Sequence, residues 1–149
     1  METKERKEHW ENIYQTKQDK EVSWFQENPQ TSLSLIEKYA PSKKASIIDI
    51  GGGNSRLAKF LLEKGFENIS VMDISASAIE RNKNTFGENA RQVKWQVSDI
   101  LEFESEQQYD VWHDRAVFHF LTEEKEILKY REIVSNAVNK GGHFILATF

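Results

Sequence analysis

The stretch Ala45–Ser55, A-S-I-I-D-I-G-G-G-N-S, decides how this chain is read. Ile47 to Ile50 read as a short buried strand carrying one acid, Asp49. Gly51, Gly52 and Gly53 break that strand, and Asn54–Ser55 open an apolar-periodic run, Leu57, Ala58, Leu61 and Leu62, that reads as a helix. A strand, a glycine turn and a helix bring backbone N–H groups and a helix N-terminus against a ligand. Glycine suits such a turn because a Cβ blocks close approach and because the turn can require positive φ. An ordinary tight βα turn looks the same locally, so the rest of the chain has to separate the two.

Composition bounds the answer. The chain has 149 residues, enough for one domain with a real core. Charged residues make up 30% and hydrophobic ones 38%, a globular balance. A net charge of −4 argues against a nucleic-acid partner held by phosphate neutralisation. Without cysteine there is no disulfide, no thiolate metal site and no cysteine nucleophile. No apolar run approaches about 18 residues, so no membrane span is expected. Met1–Glu8 is charged and lacks the apolar core of a signal peptide, so the expected location is cytoplasmic.

Around the glycine turn, strands and helices alternate. Residues 1–8 are expected to fray, and His9–Gln15 to form a short helix with Trp10 and Tyr14 on one face. Trp24–Phe25, set among polar residues, reads as a core anchor or as a lid over a ligand. Pro29 opens a short helix that Pro41 ends. The helix after the glycine turn runs from about Ser55 to Lys64 and stops at Gly65. Ile69–Ile74, Val93–Val97 and Tyr109–His113 are further strands, and Ser75 caps a helix through Ile79 and Arg81. Thr122 is expected to cap the clearest helix, which Gly141–Gly142 end, leaving His143–Phe149 as a fifth strand. The expected fold is α/β: a doubly wound, mainly parallel five-stranded sheet with helices on both faces. One domain spans 1–149, with 1–41 as a helical lid segment and 42–149 as the core.

In such sheets ligands bind at the carboxyl ends of the strands. An acid stands at the end of each of the first four: Asp49, Asp73, Asp99 and, after His113, Asp114. Asp73 lies about 20 positions beyond Gly51, where an acid reaches ribose hydroxyls. The dinucleotide fingerprint fits Gly51 and Gly53 but puts Arg56 where a small residue should pack helix on strand. A phosphate-binding Gly-Lys-Ser/Thr is missing as well.

Asp49-x-Gly51-x-Gly53 instead resembles the first motif of the class I S-adenosylmethionine-dependent methyltransferases. The blocks H-W-E-N-I-Y, S-W-F-Q-E-N-P and Y-D-V-W-H-D-R-A-V-F-H-F-L look like a subgroup of small methyltransferases. That subgroup is similar to enzymes that modify protein lysines and, more distantly, to thiopurine and tellurite-type enzymes. The resemblance implies a Rossmann-like core with S-adenosyl-L-methionine as cofactor. Gly51, Gly52 and Gly53 would bed its methionine part, Asp73 its ribose, and Asp99 its adenine amino group, with Ile74 and Ile100 sandwiching the ring. Ser55 departs from the third glycine of many members. The family also adds an antiparallel hairpin after the fifth strand, and this chain stops at Phe149.

The expected reaction is methyl transfer to a nucleophile, a protein lysine amine or a small molecule. The alternatives are a cofactor-binding domain without turnover and an NAD-type module. Asp114 is a candidate to orient an amine. His113 reads as a base or, preferably, as a side chain against the methionine part of the cofactor. Trp10, Trp24 and Phe25 would desolvate the site as a lid, and His119 packs beside Phe118 and Phe120. No pair of histidines has helical metal-ligand spacing, so no metal is expected. An open fifth strand implies a homodimer through that edge.

Overall fold

The computed structural model describes residues 3–16, 29–105, 107–115 and 117–148, and at 14–16 the backbone alone. The side chain of Tyr14, together with Trp24, Phe25 and Phe149, therefore lies outside the described residues. Helices α1 (Thr3–Thr16) and α2 (Gln30–Tyr39) lead into β1 (Ser46–Ile50), α3 (Leu57–Glu63) and β2 (Asn68–Asp73). There follow α4 (Ala76–Phe86), β3 (Val93–Val97), β4 (Tyr109–Arg115), α5 (Glu124–Ala137) and β5 (Val138–Ala147). The strands form one sheet in the order β3-β2-β1-β4-β5, with every pairing parallel. The direction of winding reverses between β1 and β4, the place where a doubly wound sheet opens a crevice.

β1 shows why two layers of helix are needed. All five of its residues are buried, and successive side chains leave on opposite faces. Ile47 enters a core with Leu33 and Ile36 of α2, Leu57 and Leu61 of α3, and Ile79 of α4. Ile48 and Ile50 enter a second core with Trp112 of β4 and Tyr130 and Ile133 of α5. Burying one such side chain stabilises by about 1.5–3 kcal/mol, which favours a sheet covered on both sides.

The largest differences from the expected boundaries lie in α1, α5 and β5. α1 starts at Thr3 rather than near His9, because Arg6 is tied to Asp99 and Glu126. α5 starts at Glu124, capped by Glu123 and Glu126 in a reciprocal box rather than by Thr122. It ends at Ala137, where Val138 turns extended and pairs with Tyr109. Gly141 (φ 82°) lies in an irregular stretch of β5, and regular pairing resumes at His143 opposite Val111. Asn139 spans that irregularity by donating to Asp110 Oδ1 at 2.9 Å.

No helix among the described residues is long and apolar enough to cross a membrane. No group of three or more His, Asp or Glu among them is placed to hold a metal ion.

Candidate functional site

The glycine turn is built against the end of β2. Gly51 takes positive φ (71°), and its N–H and that of Gly52 donate to Met72 O at 2.7 and 3.3 Å. A Cβ on Gly52 would stand 2.3 Å from Asp49 Oδ2, and one on Gly53 2.7 Å from Asp73 Oδ2. Both approaches are closer than any side chain tolerates, so the turn needs glycine for space as well as for conformation. Asn82 of α4 locks it by donating to Gly52 O at 3.3 Å and Ser55 O at 3.0 Å.

Asp73 closes the turn from below. Its Oδ2 accepts from Gly53 N and its Oδ1 from Ser75 N, each at 2.9 Å. Burial pushes its carboxyl up to about 6, against the pull of those backbone donors. At the end of β3, Asp99 Oδ1 accepts from Leu101 N at 3.0 Å, and Oδ2 takes the Arg6 guanidinium at 2.6 Å.

Between these two acids runs a cleft that opens to solvent. Its floor and walls are Gly51, Met72, Asp73, Ile74, Asp99 and Ile100 from the strand ends. Val117, Phe120 and Leu121 line it from the segment after β4, with Arg115, and α1 adds Arg6 and Trp10. Trp10 meets Phe120 edge-on at 4.8 Å. An apolar slot with a carboxylate at each side matches a ribonucleoside: hydroxyls to one acid, a ring amino group to the other, and the ring in the slot.

Of the residues picked from sequence, Gly51, Asp73, Ile74, Asp99 and Ile100 come together on this cleft. Asp49, Gly52, Gly53, His113 and Asp114 do not line it. Asp49 and His113 face each other across β1 and β4, with His113 Nδ1 2.9 Å from Asp49 Oδ1. His113 Nε2 lies 2.9 Å from Ser32 Oγ on α2, so both ring nitrogens are engaged. Asp49 Oδ2 is buried with no hydrogen-bond partner among the described residues, and so keeps acceptor capacity beneath the glycine turn.

Asp114 has no exposure at all. It accepts from Val117 N at 2.9 Å, from Phe118 N and from the Tyr130 hydroxyl, which itself receives Trp112 Nε1 at 3.1 Å. Burial pushes its carboxyl up to about 6, and Tyr130 is raised by burial and by the charge of Asp114. This position gives Asp114 the task of holding the turn after β4 rather than of facing the cleft. Trp24 lies outside the described residues.

Sequence reasoning passed over Arg6, Ser32, Asn82 and Arg115. Nothing local marks Arg6, Ser32 or Asn82, since each gains its partners from an element distant in sequence. Arg115 lies within the quoted fourth-strand block, and only the cleft itself shows which way that part of the chain faces.

Comparison with known proteins adds a family. The sequence model of a family described as a methyltransferase domain matches residues 48–144. The EEF1A lysine methyltransferase 2 of Danio rerio is 29% identical over 156 residues, covering 95% of this chain and 67% of that protein. The Homo sapiens protein of the same name is 31% identical over 104 residues, covering 64% of this chain and 44% of its own length. The chain thus spans between under half and about two thirds of these relatives. Among solved structures, the DhpI-SAM-HEP complex is similar with a TM-score of 0.72 at 14% identity, covering 96% of this chain and 64% of that one. The CcbJ methyltransferase from Streptomyces caelestis is similar with a TM-score of 0.71 at 16% identity, covering 91% and 54%. At that identity the structures speak for the fold, which is the same parallel α/β core. The family match, spanning the glycine turn, both cleft acids and the fourth strand, places this chain in the methyltransferase domain family, of the class I S-adenosylmethionine-dependent kind.

Proposed function

We propose that this chain binds S-adenosyl-L-methionine in the Asp73–Asp99 cleft and transfers its methyl group to an amine, a protein lysine being the favoured acceptor. The observation that carries the reading is the pair of buried carboxylates flanking an apolar slot at the ends of β2 and β3. Each carboxylate oxygen that already accepts one backbone N–H has a second lone pair for a ribose hydroxyl or the ring amino group. Relatives named as EEF1A lysine methyltransferases support the choice of a lysine amine.

The cofactor supplies the activated methyl, so the protein's work is to bind, align and desolvate. Gly51, Gly52 and Gly53 admit the methionine part, and Asp49 Oδ2 is placed beneath them as an acceptor. Alignment of nucleophile, methyl and sulfur supplies roughly 7–11 kcal/mol in favourable cases. An exposed lysine is mostly protonated, with a reference pKa of about 10.4. The aromatic cover that Trp10 and Phe120 begin, and to which Trp24 and Phe25 are proposed to belong, would favour its neutral form. His113 is a positioning residue for Asp49 in this reading. The segment 1–41 acts as lid and 42–149 as core of one domain, in a cytoplasmic protein. Self-association through the outer edge of β5 completes the proposal.

Titration calorimetry with S-adenosylmethionine and with NAD tests the cofactor. Binding of the first and not the second is expected, and Asp73→Ala should weaken it by about 1.5–3 kcal/mol. Unchanged affinity in a folded Asp73→Ala variant removes Asp73 from the site. Methyl transfer over a panel of lysine-bearing proteins, small amines and thiols then separates an enzyme from a domain that only binds.

A further inference from the structure

α1 crosses the mouth of the cleft and is fastened on both walls. On one side Glu11 accepts from Ser77 of α4, at 2.5 Å from Oγ and 3.3 Å from the backbone N. In the middle Trp10 stands edge-on to Phe120. On the other side Arg6 forks between Asp99 Oδ2 at 2.6 Å and Glu126 Oε2 at 2.5 Å. Arg6 and Trp10, four residues apart, lie on one face of the helix about a turn from each other, and Glu11, the next residue, points to the side toward α4. Ser77 belongs to a helix packed on one face of the sheet and Glu126 to the helix packed on the other. The helix therefore straps the two layers together over the strand ends.

Arg6 is the strongest of these fastenings. Its side chain is 11% exposed, that of Asp99 0% and that of Glu126 8%, so water does little to screen the pairs. Without the guanidinium the buried carboxylates of Asp99 and Glu126 would be left with no cation between them, a costly arrangement. A planar fork meets two acids at once in a way that a single ammonium does not. Asp99 has its other oxygen on Leu101 N, so backbone and Arg6 together leave its carboxylate no freedom to turn.

We propose that Arg6 is the clasp of the cofactor cleft: pinned on Asp99 and Glu126, it fixes the carboxylate at the purine end and holds α1 closed over the bound cofactor. This rests on the reading of the cleft as an S-adenosylmethionine site. Arg6 is then a positioning residue, and the step it controls is entry and release. Release of the product, S-adenosylhomocysteine, requires the guanidinium to leave at least one of its two acids so that α1 can lift. The side chain acts from outside the glycine motif, through a contact that joins residues far apart in sequence.

The test is the dissociation rate of S-adenosylhomocysteine from the full chain, followed after displacement with excess sinefungin. Arg6→Gln is expected to speed dissociation by at least about tenfold, because α1 then loses the buried charge pairs that fasten it over the cleft. Arg6→Lys, which keeps the charge without the fork, should fall between. Glu126→Gln provides an independent arm. It keeps an oxygen for the Glu123 N–H and so preserves the α5 cap, while weakening the grip on Arg6. Glu126 does not line the cleft, so faster release in that variant, with the α5 cap kept, points to the clasp rather than to a lost cofactor contact. Hydrogen exchange separates a clasp from general loosening: α1 amides should exchange faster in the variants while β1 and β4 stay protected. Unchanged dissociation in folded Arg6→Gln and Glu126→Gln overturns the clasp alone, and where Arg6→Gln does not fold, Glu126→Gln decides. Absence of any binding by the wild-type chain overturns the cofactor reading itself and takes the clasp with it.

Discussion

Asp73 and Asp114 are two carboxylates in near-complete burial, one under the glycine turn and one under the turn after β4. Burial holds both at about 6, above the ordinary value of 3.8, because the charged form loses its water. The folded protein therefore binds these protons more tightly than the unfolded chain does. Stability from these groups is present in full below about 4 and is lost as pH rises through about 6. Glu11 has the opposite sign: burial raises it, but hydrogen bonds from Ser77, Ser75 and Ala76 outweigh that and bring it below its ordinary value. Its contribution is lost only as pH falls through that lowered value, below the window of the other two. The thermal midpoint of the ligand-free protein should thus rise on acidification from pH 7 to pH 5. Asp114→Asn should flatten the rise, and a midpoint that falls steadily over this range would contradict the assignment. The acids at 73 and 99 were legible from sequence because strand ends can be located by pattern. The inward turn of Asp114 was not, because it depends on Tyr130, which comes from α5.

At the scale of elements, α4 shows how a helix shapes a loop it is not joined to. Asn82 is buried and donates to the carbonyl of Ser55 and, beside the Ser55 N–H that already reaches it at 3.0 Å, to that of Gly52. Asn82→Ala leaves both without that donor and should lower stability by about 1–3 kcal/mol in denaturant unfolding. The N–H groups of residues 52–55 should also exchange faster with solvent. A variant of unchanged stability with a protected turn would show that water replaces the amide without loss. In sequence Asn82 is one polar residue in an amphipathic helix, indistinguishable from the exposed ones. The cap of α5 is a similar case: Thr122 is the cap expected from sequence, and the reciprocal bonds between Glu123 and Glu126 place it at Glu123 instead.

For the whole molecule, the sheet has two edges, β3 and β5. Among the described residues no strand pairs with the outer side of β5, where Phe144 and Leu146 are 44% and 39% exposed. Beyond the irregular stretch at Gly141 the edge over 143–147 has no proline and no lysine, and such an edge invites pairing with another strand. The 149-residue chain is therefore expected to self-associate at micromolar concentration, as read by sedimentation. A monomer whose residues 143–147 exchange rapidly would show an edge that is open yet does not pair. Periodicity, turn residues and the acids after the strands were enough to determine, from sequence alone, a parallel α/β sheet with acids gathered at its carboxyl edge. Those signals are local, set by side-chain alternation and by what glycine allows. Tertiary structure alone decided which acids face the cleft, that His113 pairs with Asp49, and that Arg6 of α1 reaches Asp99 and Glu126. These depend on contacts between residues far apart in the chain, such as Arg6 with Glu126, and a salt bridge across such a span leaves no periodic trace for a sequence to carry.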